Sequence, residues 1–133
     1  MIQGYFGEKG DLFFEIDLIA DDGSLVTVNA LLDTGFTDWL VIDIQDVESL
    51  GWSFVKKEQM QTARGEATFN LYRGTVVMES QEFTIPVLGG EEITEVLLGL
   101  QWLENRRLVV DRKAGLLTLG KDGTESDRIP SAS

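Results

Sequence analysis

Between Ala30 and Ile42 the chain reads ALLDTGFTDWLVI, in which Asp33-Thr34-Gly35 breaks an otherwise apolar run. A carboxylate among apolar neighbours is costly unless it is hydrogen-bonded, paired, neutralised or placed at an opening. One carboxylate alone is a modest catalyst. Two held within hydrogen-bond distance cannot both ionise, so they share a proton; the ionised member can then activate water while the protonated one supports a carbonyl oxygen. The chain supplies one acid in this setting, and a two-fold axis would supply the second, because a residue on the axis meets its own copy. Thr34 then has a hydroxyl to donate and accept across the axis, and Gly35 lets backbones approach where a Cβ would clash. An Asp before Thr-Gly also serves as an ordinary turn acid that caps its own backbone.

The rest of the composition narrows the chemistry. No Cys and no His occur among the 133 residues, which removes thiol nucleophiles, disulfides, His-based relays and the usual zinc ligands. No metal or organic cofactor is implied. A formal net charge of −12 without a basic stripe opposes approach to nucleic acid and to anionic membranes. The acidic pairs Asp21-Asp22 and Glu91-Glu92 read as solvated turns. With 43% hydrophobic and 26% charged residues the chain reads as one soluble domain. The first residues, MIQGYFGEKGD, do not pattern as a secretion signal, and a cytoplasmic location is expected.

Elements that could position the acid follow from periodicity. Residues 12–20 read as a half-exposed strand, 21–24 as an Asp-Gly turn, and 25–32 as the return strand running into Asp33. Residues 39–42 resume an extended run. Residues 43–51 space Ile44, Val47 and Leu50 like a short helix closed by Gly51. A glycine-tipped hairpin spans 59–79 with its tip at Arg64-Gly65-Glu66. Residues 82–88 form a strand whose Pro86 suggests an edge or an end, and 89–94 a loop. A strand then ends at Gly99, a short helix covers 101–106, and a hairpin pairs 108–111 with 116–120. The expectation is an all-β closed barrel or sandwich over 1–120, with one or two short helices and a polar, disordered tail over 121–133. Trp39, Trp52 and Trp102 read as packing residues; Glu104 and Asp111 default to surface roles.

The ordered set Leu31-Leu32-Asp33-Thr34-Gly35, then the hairpin, then Leu97-Leu98-Gly99 and a short helix, resembles a retropepsin-type aspartic peptidase. The resemblance spans residues 12–119, nearest to prokaryotic members that read Asp-Thr-Gly-Phe-Thr. It implies a homodimeric endopeptidase with Asp33 as each copy's catalytic acid and Thr34 and Gly35 supporting the loop. Leu31, Gly35, Phe36, Thr37 and Asp38 would meet an extended peptide or protein substrate, Arg64, Gly65 and Glu66 would form the flap tip, and Leu98 and Gly99 would pack beneath the loop. The alternative is a dimeric module of the same fold that grips a peptide without cutting it, a reading that rests on the large Phe36 beside the acid. A monomeric accessory domain with a solitary acid is the third reading.

Overall fold

The structure, a computed structural model, describes residues 1–62 and 64–121. Its strands are β1 (Ile2–Gln3), β2 (Tyr5–Phe6), β3 (Leu12–Ile19), β4 (Leu25–Leu32) and β5 (Leu40–Asp43), followed by helix α1 (Ile44–Leu50). Next come β6 (Ser53–Thr62), β7 (Gly65–Met78), β8 (Gln81–Gly90) and β9 (Val96–Leu98), a 3₁₀ turn (Leu100–Leu103), β10 (Arg106–Asp111) and β11 (Leu116–Lys121). Strands β3, β4, β9, β5, β8 and β7 pair in that order, and β7 returns to β3, which closes a six-stranded barrel. Strand β2 extends the edge of β3, β6 rides outward on β7, and β1-β11-β10 form a second antiparallel sheet.

Alternation builds the barrel wall. Along β3, Phe14, Ile16 and Leu18 are buried while Glu15 is exposed; along β7, Tyr72, Val76 and Met78 turn inward. Leu117 and Leu119 of β11 join the same apolar cluster, so the second sheet packs on the first as part of one core. The turn at 21–24 closes as expected. Gly23 takes φ +88°, and Asp22 Oδ1 accepts from the Ser24 hydroxyl at 2.6 Å and the Ser24 amide at 2.9 Å. Those two bonds, the hydroxyl first, hold the Asp22 carboxyl below the usual carboxylate range.

The helix expected over 43–51 is present as α1. Asp43 Oδ2 caps the Gln45 amide at 3.1 Å, and Gly51 ends the helix at φ +74°. Three expectations need correction. Gly89 and Gly90 belong to β8 and not to a loop, because they pair with Ile42 and Asp43 of β5. The rings of Tyr72 and Phe69 fill the space a Cβ there would occupy. The short helix expected over 101–106 is a 3₁₀ helix over Leu100–Leu103: the Trp102 and Glu104 amides bond to the Gly99 and Gln101 carbonyls in the i to i+3 pattern, and Arg106 already starts β10. Pro86 lies in an interior strand, tolerated because β5 pairs only with Leu88–Gly90, which leaves the β5 side open at Pro86. Of the tail expected over 121–133, Lys121 is the last residue of β11 and the remainder lies outside the described residues.

Trp102 is fully buried, edge-on to Trp39 (4.8 Å between centroids) and to Phe83 (5.6 Å), and its indole N–H donates to the Trp39 carbonyl at 2.8 Å. The Arg106 guanidinium lies over Phe83 and Trp102, with its Nε 3.6 Å from Glu79. Trp102→Ala should therefore cost about 3–5 kcal/mol, measured as a lower urea midpoint at unchanged slope. A change under about 1 kcal/mol would mean that this aromatic group does not anchor the fold.

Candidate active site

Strand β9 is three residues long and lies between two partners. It runs parallel to β4, with Ala30, Leu31 and Leu32 beside Val96, Leu97 and Leu98, and antiparallel to β5, with Leu40 beside Leu98. Asp33 is the first residue past β4, and its amide donates to the Leu98 carbonyl at 2.9 Å. The chain then turns back on itself. The Phe36 amide donates to the Asp33 carbonyl at 3.1 Å, and the Phe36 carbonyl accepts from the Leu100 amide at 2.7 Å. Gly99 donates to the Trp39 carbonyl at 3.0 Å, and Gln101 to the Asp38 carbonyl at 3.3 Å. The loop 33–39 is thus tied at four points to the segment 98–101.

Gly99 is the tightest point of this junction. A Cβ there would overlap the Asp38 carbonyl group and come within 2.8 Å of the Phe36 ring. Only a bare Cα lets the two segments approach so closely. The Phe36 ring is therefore half-buried against Gly99.

Asp33 is half-buried, and its Oδ1 accepts from the Gly35 amide at 2.9 Å. This is the turn bond that an Asp before Thr-Gly can make with its own backbone, and Oδ2 takes no part in it. Thr34, Gly35, Thr37 and Asp38 are exposed. Among the described residues the Thr34 hydroxyl has no hydrogen-bond partner within the chain. Leu31 lies beside Leu97, both half-buried, while Leu32 and Leu98 on the opposite face are buried in the core. Beside the loop, Thr37, Leu100, Gln101, Leu103 and Glu104 line a cleft of about 350 Å³, with Leu100 41% exposed.

The structure thus brings Leu31, Asp33, Thr34, Gly35, Phe36, Thr37 and Asp38 onto one end of the barrel, with Leu98 and Gly99 behind them. Arg64, Gly65 and Glu66 stand apart at the end of the β6–β7 hairpin, and among the described residues no hydrogen bond joins them to the Asp33 loop. The tip also falls one residue earlier than expected. Thr62 pairs with Gly65 and Gln61 with Glu66, so Gly65 and Glu66 open β7 and Arg64 lies in the turn. The Thr62 hydroxyl tightens that turn by accepting from the Arg64 amide at 3.2 Å and donating to the Gly65 carbonyl at 2.8 Å. Asp43 is a residue the sequence reading did not single out. Besides capping α1, its Oδ1 accepts from the Ile93 amide at 3.1 Å and so fixes the loop that leads into β9. Its position just before Ile44 was the available signal.

No family model and no curated protein matches the sequence. Solved structures do match the fold. A retropepsin-like aspartic protease from Rickettsia conorii superposes with a TM-score of 0.61 at 20% identity, covering 90% of this chain and 89% of that one. The EIAV protease, in complex with the inhibitor HBY-793, superposes at 0.58 with 18% identity, covering 79% and 98%. The fold is the retropepsin-like one, mostly β with a closed barrel and one short helix. Among the described residues no group of His, Cys, Asp and Glu could hold a metal ion, and no helix is long and apolar enough to cross a membrane.

Because backbone blocks the Cβ position at residue 99, Gly99→Ala should displace the Asp33 loop and cost at least about 1–3 kcal/mol. The checks are the urea midpoint and amide chemical shifts of residues 33–40. Unchanged shifts at Asp33, Phe36 and Asp38 would show that the junction does not hold the loop.

Proposed function

We propose that the chain is an aspartic endopeptidase active as a homodimer, in which Asp33 from each copy forms the catalytic pair. One carboxylate takes a proton from water as it attacks a peptide carbonyl; the protonated partner donates to the carbonyl oxygen. The observation that carries this reading is the placement of Asp33. It stands on an exposed turn pinned to the Leu98 carbonyl, at one end of a barrel whose fold is that of retropepsin-like proteases. The exposed Leu100 beside the loop supports a second copy meeting this face, because its burial there is favourable, and the Thr34 hydroxyl is available to bond across the axis.

The substrate is an extended peptide or protein segment. Leu31, Gly35, Phe36, Thr37 and Asp38 would form the floor under its backbone, and the β6–β7 hairpin with Arg64, Gly65 and Glu66 the cover. Thr34 and Gly35 support the pair, and Leu98 and Gly99 hold the loop from behind. A cytoplasmic location belongs to the same reading. The non-cutting alternative rested on Phe36, whose ring lies against Gly99, where it supports the loop.

Asp33→Asn should lower peptide cleavage by at least about a hundredfold with an unchanged urea midpoint. Wild-type rates in the variant would remove the assignment. Capture of a transition-state-mimicking hydroxyl inhibitor or of peptide without any product would instead favour the binding module. Finally, Leu100→Asp should convert the chain to a monomer in sedimentation and abolish cleavage together with dimerisation. A monomeric wild type that cleaves at full rate would overturn the homodimer.

A further inference from the structure

Away from Asp33, the barrel wall has an opening. Strand β4 pairs with β3 along Leu25–Leu31, but β9 covers its other edge only from Ala30 to Leu32. Among the described residues, the backbone of residues 25–29 therefore has no strand on that side. Beside this free edge lies a cleft of about 510 Å³ between β4 and α1. Val26 and Val28 of β4, Ile42 of β5, Leu50 of α1 and Val96 of β9 form its floor. Val26 is 40% exposed although it lies on the barrel's inward face, in line with buried Ala30 and Leu32. The acids Asp21, Asp22 and Asp46 stand at the rim. Asp22 stays ionised to lower pH than an ordinary carboxylate, held by Ser24. On the outer face of the same wall, Glu15 and Asp17 flank Asn29 and Thr27.

We propose that this slot is a docking site for an extended, basic and apolar segment of a partner protein, which adds to the free edge of β4 as a further strand. An unpaired edge supplies backbone donors and acceptors in register with an incoming strand. Alternate side chains of that strand then drop between Val26, Val28 and Leu50, and those between them face outward beside Thr27 and Asn29, one strand away from Glu15 and Asp17. The rim acids and the chain's net charge of −12 select lysine or arginine over acidic residues. Val28 and Val26 lie roughly 16 to 23 Å along the strand from Asp33, so the slot can be filled while the Asp33 face is engaged. The site stands whether or not Asp33 is catalytic.

The probe is a capped, alternating lysine–valine hexapeptide, with the glutamate–valine peptide as its counterpart, on the full chain carrying Asp33→Asn so that no cleavage intervenes. The basic peptide should bind, weaken with salt, and slow amide exchange within residues 25–29. Val26→Lys should reduce its affinity about tenfold or more. The double change Asp22→Asn with Asp46→Asn, which keeps the surface polar and the fold intact, should reduce it several-fold at low salt. No binding up to roughly 1 mM peptide, equal binding of the acidic peptide, or binding indifferent to Val26→Lys would overturn the proposal. If Val26→Lys instead abolishes self-association, a second copy occupies the slot and the proposal also falls.

Discussion

Everything at the Asp33 end depends on one close approach, the bare Cα of Gly99 against the carbonyl of Asp38. Strand β9 is only three residues long and could not fix a loop by its own pairing. It is held because β4 and β5 flank it, and because Gly99 lets the chain past β9 lie directly on the loop that joins those two strands. The Asp33 amide then reaches the Leu98 carbonyl, the Leu100 amide reaches the Phe36 carbonyl, and the carboxyl is set at the barrel's end. Behind this junction Trp102 donates to the Trp39 carbonyl, the same oxygen that accepts from Gly99. Core packing and loop geometry therefore meet at one atom.

Under the proposed function, that junction presents a single acid from each copy. The turn bond from Gly35 orients one oxygen of Asp33, and among the described residues the exposed side chains around it make no further polar bonds to the acid. A lone carboxylate on an open turn has neither a second acid nor an enclosed, water-poor setting. Both would come from a second surface laid against the first. Chemistry that needs two identical acids asks one gene product for only one well-placed loop, and the rigidity of that loop is what a symmetric pairing would inherit.

The sequence made legible those features whose physics is local. The turn at 21–24 follows from Asp-Gly, and α1 from a helical apolar spacing and the closing Gly51. The all-β class follows from period-two alternation. The aromatic group around Trp102 was legible as packing, though not which rings meet. What stayed hidden depends on distant partners. Gly89 and Gly90 look like loop residues until Tyr72 and Phe69 are seen to require their missing side chains. The segment after Gly99 reads as a short helix over 101–106, yet its i to i+3 bonds and the burial of Trp102 hold it to one 3₁₀ turn. Strands β1 and β2 have two residues each, too few to carry a period. Within the candidate site, Asp33-Thr34-Gly35 and Gly99 could be singled out from residue type and order. The second bond of Asp43, to Ile93 fifty positions away, could not.

The brevity of β9 has consequences at both of its ends. At its C-terminal end, stopping at Leu98 lets Gly99 turn across the loop; a longer β9 would continue alongside the chain past Leu32 and occupy the space into which Asp33 turns. At its N-terminal end, starting at Val96 leaves β4 uncovered from Leu25 to Asn29. The apolar cleft opens where the missing residues of β9 would lie. Extending β9 backwards would fill the slot without touching the Asp33 loop, and lengthening it forwards would do the reverse. Two separable surfaces thus arise from the limits of a single short strand, one carrying the candidate acid and the other a free backbone edge.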